Sequence, residues 1–375
     1  MHPHLRFSYG RQQGAIVLVT VVLMLVMITL VTLYTGRIQS FEHKIALNGQ
    51  NQYFAYAAAS AGLAQGIAEL QRNKSWPVAT INSALSNQQQ FSVTAGAQII
   101  PRYSQNLTLY ALSSTGTSPD GLSEVTLSEQ AIVYPLLVTI PAAPLMTDGG
   151  LDIRANFTLV ANPNGGGQGV PLSLWTNDSA DMDQINGLTC GLYEYQQQLC
   201  QTRAYSEQGA AGMDILANDL AFPTDVFGYL FNVSIAHYAT LRDEADLVLA
   251  DCTTLSQQVL MLIWVSGDCD VAANSVLGAP NAPVILLIAE GDLRVGSDAI
   301  IHGLVVFLKD PATVGTHDVH MSVGSLLNGA LVANQVLGRL SGSLHIVYAQ
   351  ATLAALRTAP EFLRVARVPG SWRDL

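Results

Sequence analysis

Charge is scarce in this chain. Only 12% of its 375 residues are Asp, Glu, Lys or Arg, while 49% are hydrophobic. That composition excludes a disordered polyelectrolyte and leaves enough apolar side chains for a sizeable core and a membrane segment. Clustered Lys and Arg are also missing. With 17 basic residues against 28 acidic ones and a formal net charge of −11, nothing is set up to grip a phosphate backbone, and no nucleic-acid partner is expected. Arg6 and Arg11 are the only charged residues before Ala15, so the remainder is more acidic still.

Cysteine is rare as well. Cys190, Cys200, Cys252 and Cys269 all fall in the second half and match no CxxC zinc or redox pattern. An even set with loop-sized gaps fits disulfides in an oxidising compartment, most simply Cys190 with Cys200 and Cys252 with Cys269; two other connectivities and four buried free thiols are the alternatives. No GxSxG, HExxH or Walker loop is present, and NPNGGGQGVP lacks the Lys of a phosphate cradle. Neither an enzyme nor a cofactor is expected. His317 and His320 point to opposite faces of a strand and so make a poor metal pair. Asp268, Asp270, Asp292 and Asp298 are weak Ca²⁺ candidates without the spacing of a calcium loop, and turn chemistry accounts for them better.

What the sequence does contain is one long apolar run. From Ala15 to Tyr34 it reads AIVLVTVVLMLVMITLVTLY, about the 20 residues that cross a bilayer core as a helix. Arg6 and Arg11 precede it, which places the N-terminus in the cytoplasm and residues 37 onward outside. No small-x-small signal cleavage site follows. The helical pattern continues instead. Ala57, Ala61, Ala64 and Ala68 form a small-residue seam, and Tyr56, Leu63, Ile67 and Leu70 form a neighbouring stripe suited to packing on a globular head. From Ala15 to Gln71 such a helix is roughly 85 Å long.

A basic leader ending in Gly14, an apolar helix opening at Ala15 and an amphipathic continuation resemble the class III signal of type IV prepilins. More narrowly, RQQGAIVLV, AYAAASAGLAQGIAEL and the closing PGSWRDL resemble PilX-type minor pilins of type IV pilus assembly, and the N-terminal region is similar to K-type pseudopilins of type II secretion. The resemblance implies that prepilin peptidase cuts between Gly14 and Ala15 and methylates the new amine, while the helix stays in the inner membrane. It further implies other minor pilins, major pilins and the pilus assembly platform as partners. Two departures matter. Val19 stands where major pilins carry Glu as the fifth mature residue, and Gly36 stands where they have a helix-bending Pro. The resemblance implies that a carboxylate at that fifth position pairs with a neighbouring subunit's amine; a tip subunit has no neighbour above it, so Val19 suits a tip or initiating subunit, the alternative being that it simply makes a better membrane anchor. Gly36 is expected to mark a flex point or a close helix contact.

After Asn73, KSWPVATINSALSNQQQ reads as a polar connector, and from residue 91 the pattern turns to strands. FSVTAG, NLTLYALSS and EVTLSEQAIVY read as an antiparallel meander, and SIAHYATLRDEADLVLA reads as a helix. LMLIWVSGDCDV, PVILLIAEGDLRVGSDAIIHGLVVFL, VHMSVGSLLNGALVA and LGRLSGSLHIVY read as stacked β coils or a small solenoid, with a β sandwich as the alternative. Trp372 and Arg373 are expected to close an end of the β core.

The expected fold class is therefore α+β, divided into a leader (1–14), a transmembrane helix (15–34), its periplasmic continuation (35–73), a pilin-type meander (90–141) and a β-rich ectodomain (142–375). The expected function is a minor pilin that helps prime assembly at or near the filament tip. A pilus-borne adhesin is the alternative, and a membrane-anchored periplasmic enzyme is the least supported reading. The expected location is the bacterial inner membrane with the C-terminal part periplasmic, and the pilus and cell surface after assembly.

Overall fold

The computed structural model describes residues 13–76, 80–85, 88–102, 105–154, 156–181, 187–200, 214–255, 257–310 and 315–375, with 13–15, 101, 102, 105 and 106 described by their backbone alone. It is α+β and divides into two compact units, residues 1–132 with 365–375 and residues 133–364. The leader up to residue 12 lies outside the described residues.

The first unit is built on one uninterrupted helix, α1, Gln13–Arg72. Its apolar first part contains no residue that breaks the hydrogen-bond ladder, and Thr20, Thr29, Thr32 and Thr35 each donate their hydroxyl to a carbonyl in the preceding turn at 2.8–3.0 Å. A helical threonine thereby satisfies itself without water. A sheet follows: β1 (Ile81–Ala84), β2 (Gln90–Arg102), β3 (Gln105–Thr117) and β4 (Glu124–Pro135) lie in that order. β1 and β2 are antiparallel, as are β2 and β3. β4 alternates between buried and less buried positions, the mark of a sheet with one face on a core. The strand at Ile81–Ala84 falls in a stretch that the sequence reads as a polar connector.

The C-terminal residues return to this unit. Arg373 pairs antiparallel with Ser128, and Arg367 bridges the buried carboxylate of Glu129 at 3.0 Å. The Trp372 ring meets Tyr56 of α1 edge-on at 6.5 Å between centroids. Trp372 and Arg373 therefore pin the helix-and-sheet unit instead of closing the ectodomain's β core, a correction that follows from long-range pairing.

The second unit is a three-sided solenoid in which, among the described residues, the strand ladders are parallel. One side stacks Leu247–Leu249, Leu262–Val265, Val284–Ala289, the second half of Ile300–Leu308, the second half of Leu326–Ala333, Leu145–Thr147, Leu174–Thr176 and Ile215–Leu216. The next side stacks Cys269–Val271, Leu293–Val295, His317–Met321, the start of Leu337–Val347, Leu151–Ile153 and Ala180–Asp181. The third runs from Val276–Leu277 through the starts of Ile300–Leu308 and Leu326–Ala333 and the end of Leu337–Val347 to Asn156–Val160 and Leu188–Cys190. A β sandwich is thereby excluded, since it requires antiparallel sheets. The register pairs Ile285 with Leu304 and Leu304 with Ala330, so successive coils differ in length and the repeat stays irregular in sequence.

Chain order and stacking order differ. The first coil, at Leu145, sits on the last, at Leu331, so the solenoid is entered and left from its middle. Inside it, Ile263, Leu286, Val305, Phe307, Leu331 and Leu344 form a continuous core. The first side is covered outside too. Val226, Phe227, Leu230 and Phe231 of a short helix, Leu353 and Leu356 of Gln350–Thr358, and Leu137 pack on Trp264, Leu287 and Val306. Burial on both faces explains the unbroken apolar runs IWV, VILLIA and LVVFL, because only a strand wet on one side must alternate.

The helix expected over SIAHYATLRDEADLVLA stops at Asp243, and Leu247–Leu249 becomes a strand beside Leu262–Val265. The Asp246 amide donates to the Leu262 carbonyl at 2.9 Å, and the Asp246 carboxylate accepts from the Leu262 amide at 2.8 Å. Pairing with the next coil outweighs the local helix preference.

Candidate functional site

The two halves of α1 live in different surroundings. Among the described side chains, every residue from Ile16 to Gln50 is exposed, although this half carries the longest apolar run in the chain, and the helix is long and apolar enough to span a membrane. Leaving a single Leu or Val side chain in water forgoes roughly 1.5–3 kcal/mol, so this surface calls for lipid or other helices. In the second half Ala55, Ala58, Ala59, Leu63, Ile67 and Leu70 are buried. That half is committed to the sheet.

The contact is close because small residues meet. A side chain on Gly116 of β3 would strike the backbone of Ala55 and Ala59, and one on Gly62 would strike Ser114 and Phe91. Gly62, Gly66 and Gly116 are thus the packing residues that sequence reading passed over. Ala55, Ala59, Gly62 and Gly66 recur at helical spacing on the face opposite the Ala57, Ala61, Ala64 and Ala68 seam, a pattern visible in the sequence. Of that seam, Ala57 and Ala61 are half-buried while Ala64 and Ala68 are exposed. The stripe divides similarly: Leu63, Ile67 and Leu70 are buried, and Tyr56 is exposed.

Val19 is 56% exposed, with no polar atom on its side chain to require a partner in an apolar medium. Gly14 and Ala15 already belong to the helix. The helix runs through Gly36, and a side chain added there would meet nothing within 4 Å, which leaves room for a neighbour. At the other end of the exposed half, Asn51 donates to Asp120 at 2.5 Å. That bond ties the turn before β4 to the helix, while the hydroxyl of Ser118 and then the amide of Leu122 hold the Asp120 pKa below the usual carboxylate value.

In the solenoid the four cysteines form two disulfides, Cys190–Cys200 and Cys252–Cys269. Cys190 lies in the outermost strand of the third side, and Cys269 in the outermost strand of the second. Each bridge therefore staples a terminal coil, where a stacked array has lost one neighbour.

The four candidate aspartates part company. Asp268, Asp270 and Asp292 surround Arg294, with N–O distances of 3.6, 3.4 and 3.0 Å, and their charges, Asp270 first, raise the guanidinium pKa. The cation of this cluster is the chain's own arginine. Asp268 also accepts from the Asp292 amide at 3.0 Å, Asp292 from the Asp318 amide at 2.9 Å, and Asp318 from the Arg339 amide at 2.6 Å. This carboxylate ladder binds corner to corner up the solenoid, a role that only stacking creates. Asp298 sits in another turn, with φ of 58°. His317 faces Glu290 and Asp292 at 3.7 and 3.9 Å, while His320 meets Ser341 at 3.0 Å. Among the described residues no group of three His, Cys, Asp or Glu is arranged to hold a metal.

No family model matches the chain, and no curated protein matches it. Among solved structures, the competence-associated pilin ComZ from Thermus thermophilus is similar, at 12% identity over 87% of this chain and 98% of that one, with a TM-score of 0.25. A TM-score at that level fixes neither fold nor role.

Proposed function

We propose that this chain is a minor pilin of a type IV pilus, a non-enzymatic filament subunit that helps prime assembly and displays its solenoid at or near the tip. One observation carries the reading: a single helix whose apolar half is bare and whose other half is bolted to a sheet. A detachable signal has no need of a continuous rod reaching a folded head, whereas a subunit that leaves the bilayer for a filament needs its anchor to serve both as membrane span and as packing surface. Small residues on the bare half, Gly36 and Thr32 among them, permit close helix approach in lipid. On this reading prepilin peptidase cuts after Gly14, Ala15 becomes the methylated N-terminus, and other pilins and the inner-membrane assembly platform are the partners.

N-terminal mass analysis of the membrane-extracted protein tests it. Expected is a chain beginning at methylated Ala15 in cells with active prepilin peptidase; retained Met1 in those cells overturns the proposal. The tip position rests on Val19. In cells producing Val19→Glu as the sole copy, fewer pili per cell are expected, because the added carboxylate has no partner above it; an unchanged pilus count would remove the tip assignment.

A further inference from the structure

A cavity of about 490 Å³ opens in the solenoid where the first coil sits on the last. Its floor is three stacked corners, joined by Asp148 donating its amide to the Ala333 carbonyl at 3.0 Å and Asn334 donating to the Phe307 carbonyl at 3.2 Å. The segment around Thr224 and Ile235 forms a further wall. The site is built firmly. Asn334 accepts from the Lys309 amide at 2.8 Å and donates to the Lys309 carbonyl at 3.2 Å, and Asn177 donates to Asp148 while accepting from the Gly149 amide, both at 2.7 Å.

The lining chemistry selects a ligand class. Asp148, Asp225 and Asp310 bring three carboxylates against one ammonium, Lys309, so the field is hostile to anions. Asp225 is already spent, with one oxygen accepting from Gly228 at 2.7 Å and the other from Ile235 at 3.1 Å. Lys309 donates to the Gly315 carbonyl, and an ammonium in the wall repels a bare metal ion. No aromatic ring lines the cavity among the described residues, so a flat or apolar guest has nothing to stack on. Asp310 accepts from the Tyr238 hydroxyl at 3.2 Å. What remains is a mixture of donors and acceptors: the ammonium of Lys309, the carboxylate of Asp148, the amide of Gln335 and the hydroxyls of Thr224 and Thr316. Hydroxyls that both give and accept hydrogen bonds match that mixture, and the volume falls in the usual range for small-molecule sites.

We infer that this cavity binds a neutral, hydroxyl-rich ligand, a sugar unit of a surface glycan, between Asp148 and Lys309. The inference goes beyond the proposed function, adding to it the surface binding expected of a pilus-borne adhesin, and is independent of processing at Gly14. It further makes the ligand a clamp across the last coil, because Asp148 follows the first coil, Lys309 follows the coil before the last, and Asn334 of the last coil lies between them.

The test is saturation-transfer NMR and titration on the full chain in a zwitterionic detergent, so that no glycoside detergent competes. The probes are methyl mannoside, methyl galactoside, N-acetylglucosamine and N-acetylgalactosamine, beside inorganic phosphate and Ca²⁺. Saturable binding of at least one sugar is expected, weakened tenfold or more by both Lys309→Met and Asp148→Asn at unchanged thermal unfolding of the sugar-free protein. The bound sugar should also raise the unfolding temperature of the wild-type solenoid. Binding of phosphate or Ca²⁺ in place of the sugars, no binding of any sugar, or sugar binding indifferent to both substitutions would overturn the assignment. Cleavage after Gly14, read on the same preparation, reports separately on the pilin reading.

Discussion

In the helix-and-sheet unit, paired strands are mostly neighbours in sequence: β2 and β3 pair in register from Gln90 with Thr117 to Arg102 with Gln105. In the solenoid, Leu145 pairs with Leu331 and Leu174 pairs with Leu145, so the rungs that complete it come from opposite ends of its sequence. The two units therefore store their stability in different places. A hairpin closes a short loop at small entropic cost, whereas the solenoid junction closes a very long one and returns its contacts only when both ends are present. The first unit is expected to form early and the second to complete itself late and cooperatively. Two separable unfolding transitions should follow.

The largest effect is expected from Gly329→Val. Gly329 lies in register with Gly303, and a side chain on it would enter the Gly303 backbone. Overpacking against backbone that cannot yield should remove the solenoid transition in calorimetry while leaving the helix-and-sheet transition in place. Loss of both transitions together would mean that the two units do not unfold independently.

Next comes the helix itself. Leu63→Ala, in the buried half, should cost about 2–5 kcal/mol in the first unit, while Leu23→Ala, in the exposed half, should leave the unfolding of that unit unchanged. Chemical denaturation followed by circular dichroism separates the two. A large effect of Leu23→Ala on that transition would mean the first half of α1 is not free of the head.

The disulfides sharpen the comparison from the solenoid's ends. Replacing Cys252 and Cys269 by Ser, or Cys190 and Cys200 by Ser, should each cost about 2–4 kcal/mol, the former pair slightly more because it closes the longer loop; the separations are 17 and 10 residues. Fraying of terminal coils in hydrogen exchange, with central coils still protected, is the expected signature.

The smallest effect is on pH. His302 and His345 both have their pKa pushed below the ordinary 6.5 by burial. In the unfolded chain they take up protons at that ordinary value, so below it the unfolded state binds more protons and stability falls with pH until the lowered folded values are passed. Above 6.5 they cause no slope. The solenoid's melting temperature should therefore drop between neutral pH and the mildly acidic range, and His302→Gln with His345→Gln should flatten that drop. The helix-and-sheet unit gains no slope from these two groups.

Much of this was readable in advance. The bare and packed halves of α1 follow from apolar run and stripe, and IWV, VILLIA and LVVFL, set off by GD and NG turns, announce strands. Cys190 and Cys200 are close enough in sequence to suggest each other. Other features were hidden for identifiable reasons. The stretch after His237 carries helix-forming residues, yet Asp246 bonds to Leu262 and the chain turns to strand. Asp268, Asp292 and Asp318 look like separate turn residues until stacking sets each carboxylate against the next coil's amide.

Sequence alone determined the long helix, its division into a lipid-compatible and a head-binding half, and the β character of the remainder, because these depend on composition and on periodicities of 3.6 and 2 that act over short distances. The tertiary structure decided which of two small-residue stripes on α1 meets the sheet, that the coils are parallel, and that the first coil caps the last. Those outcomes depend on which backbones approach closely enough to bond or to exclude a side chain, as at Gly116 against Ala55 and Ala59, and such encounters leave no local trace in the chain.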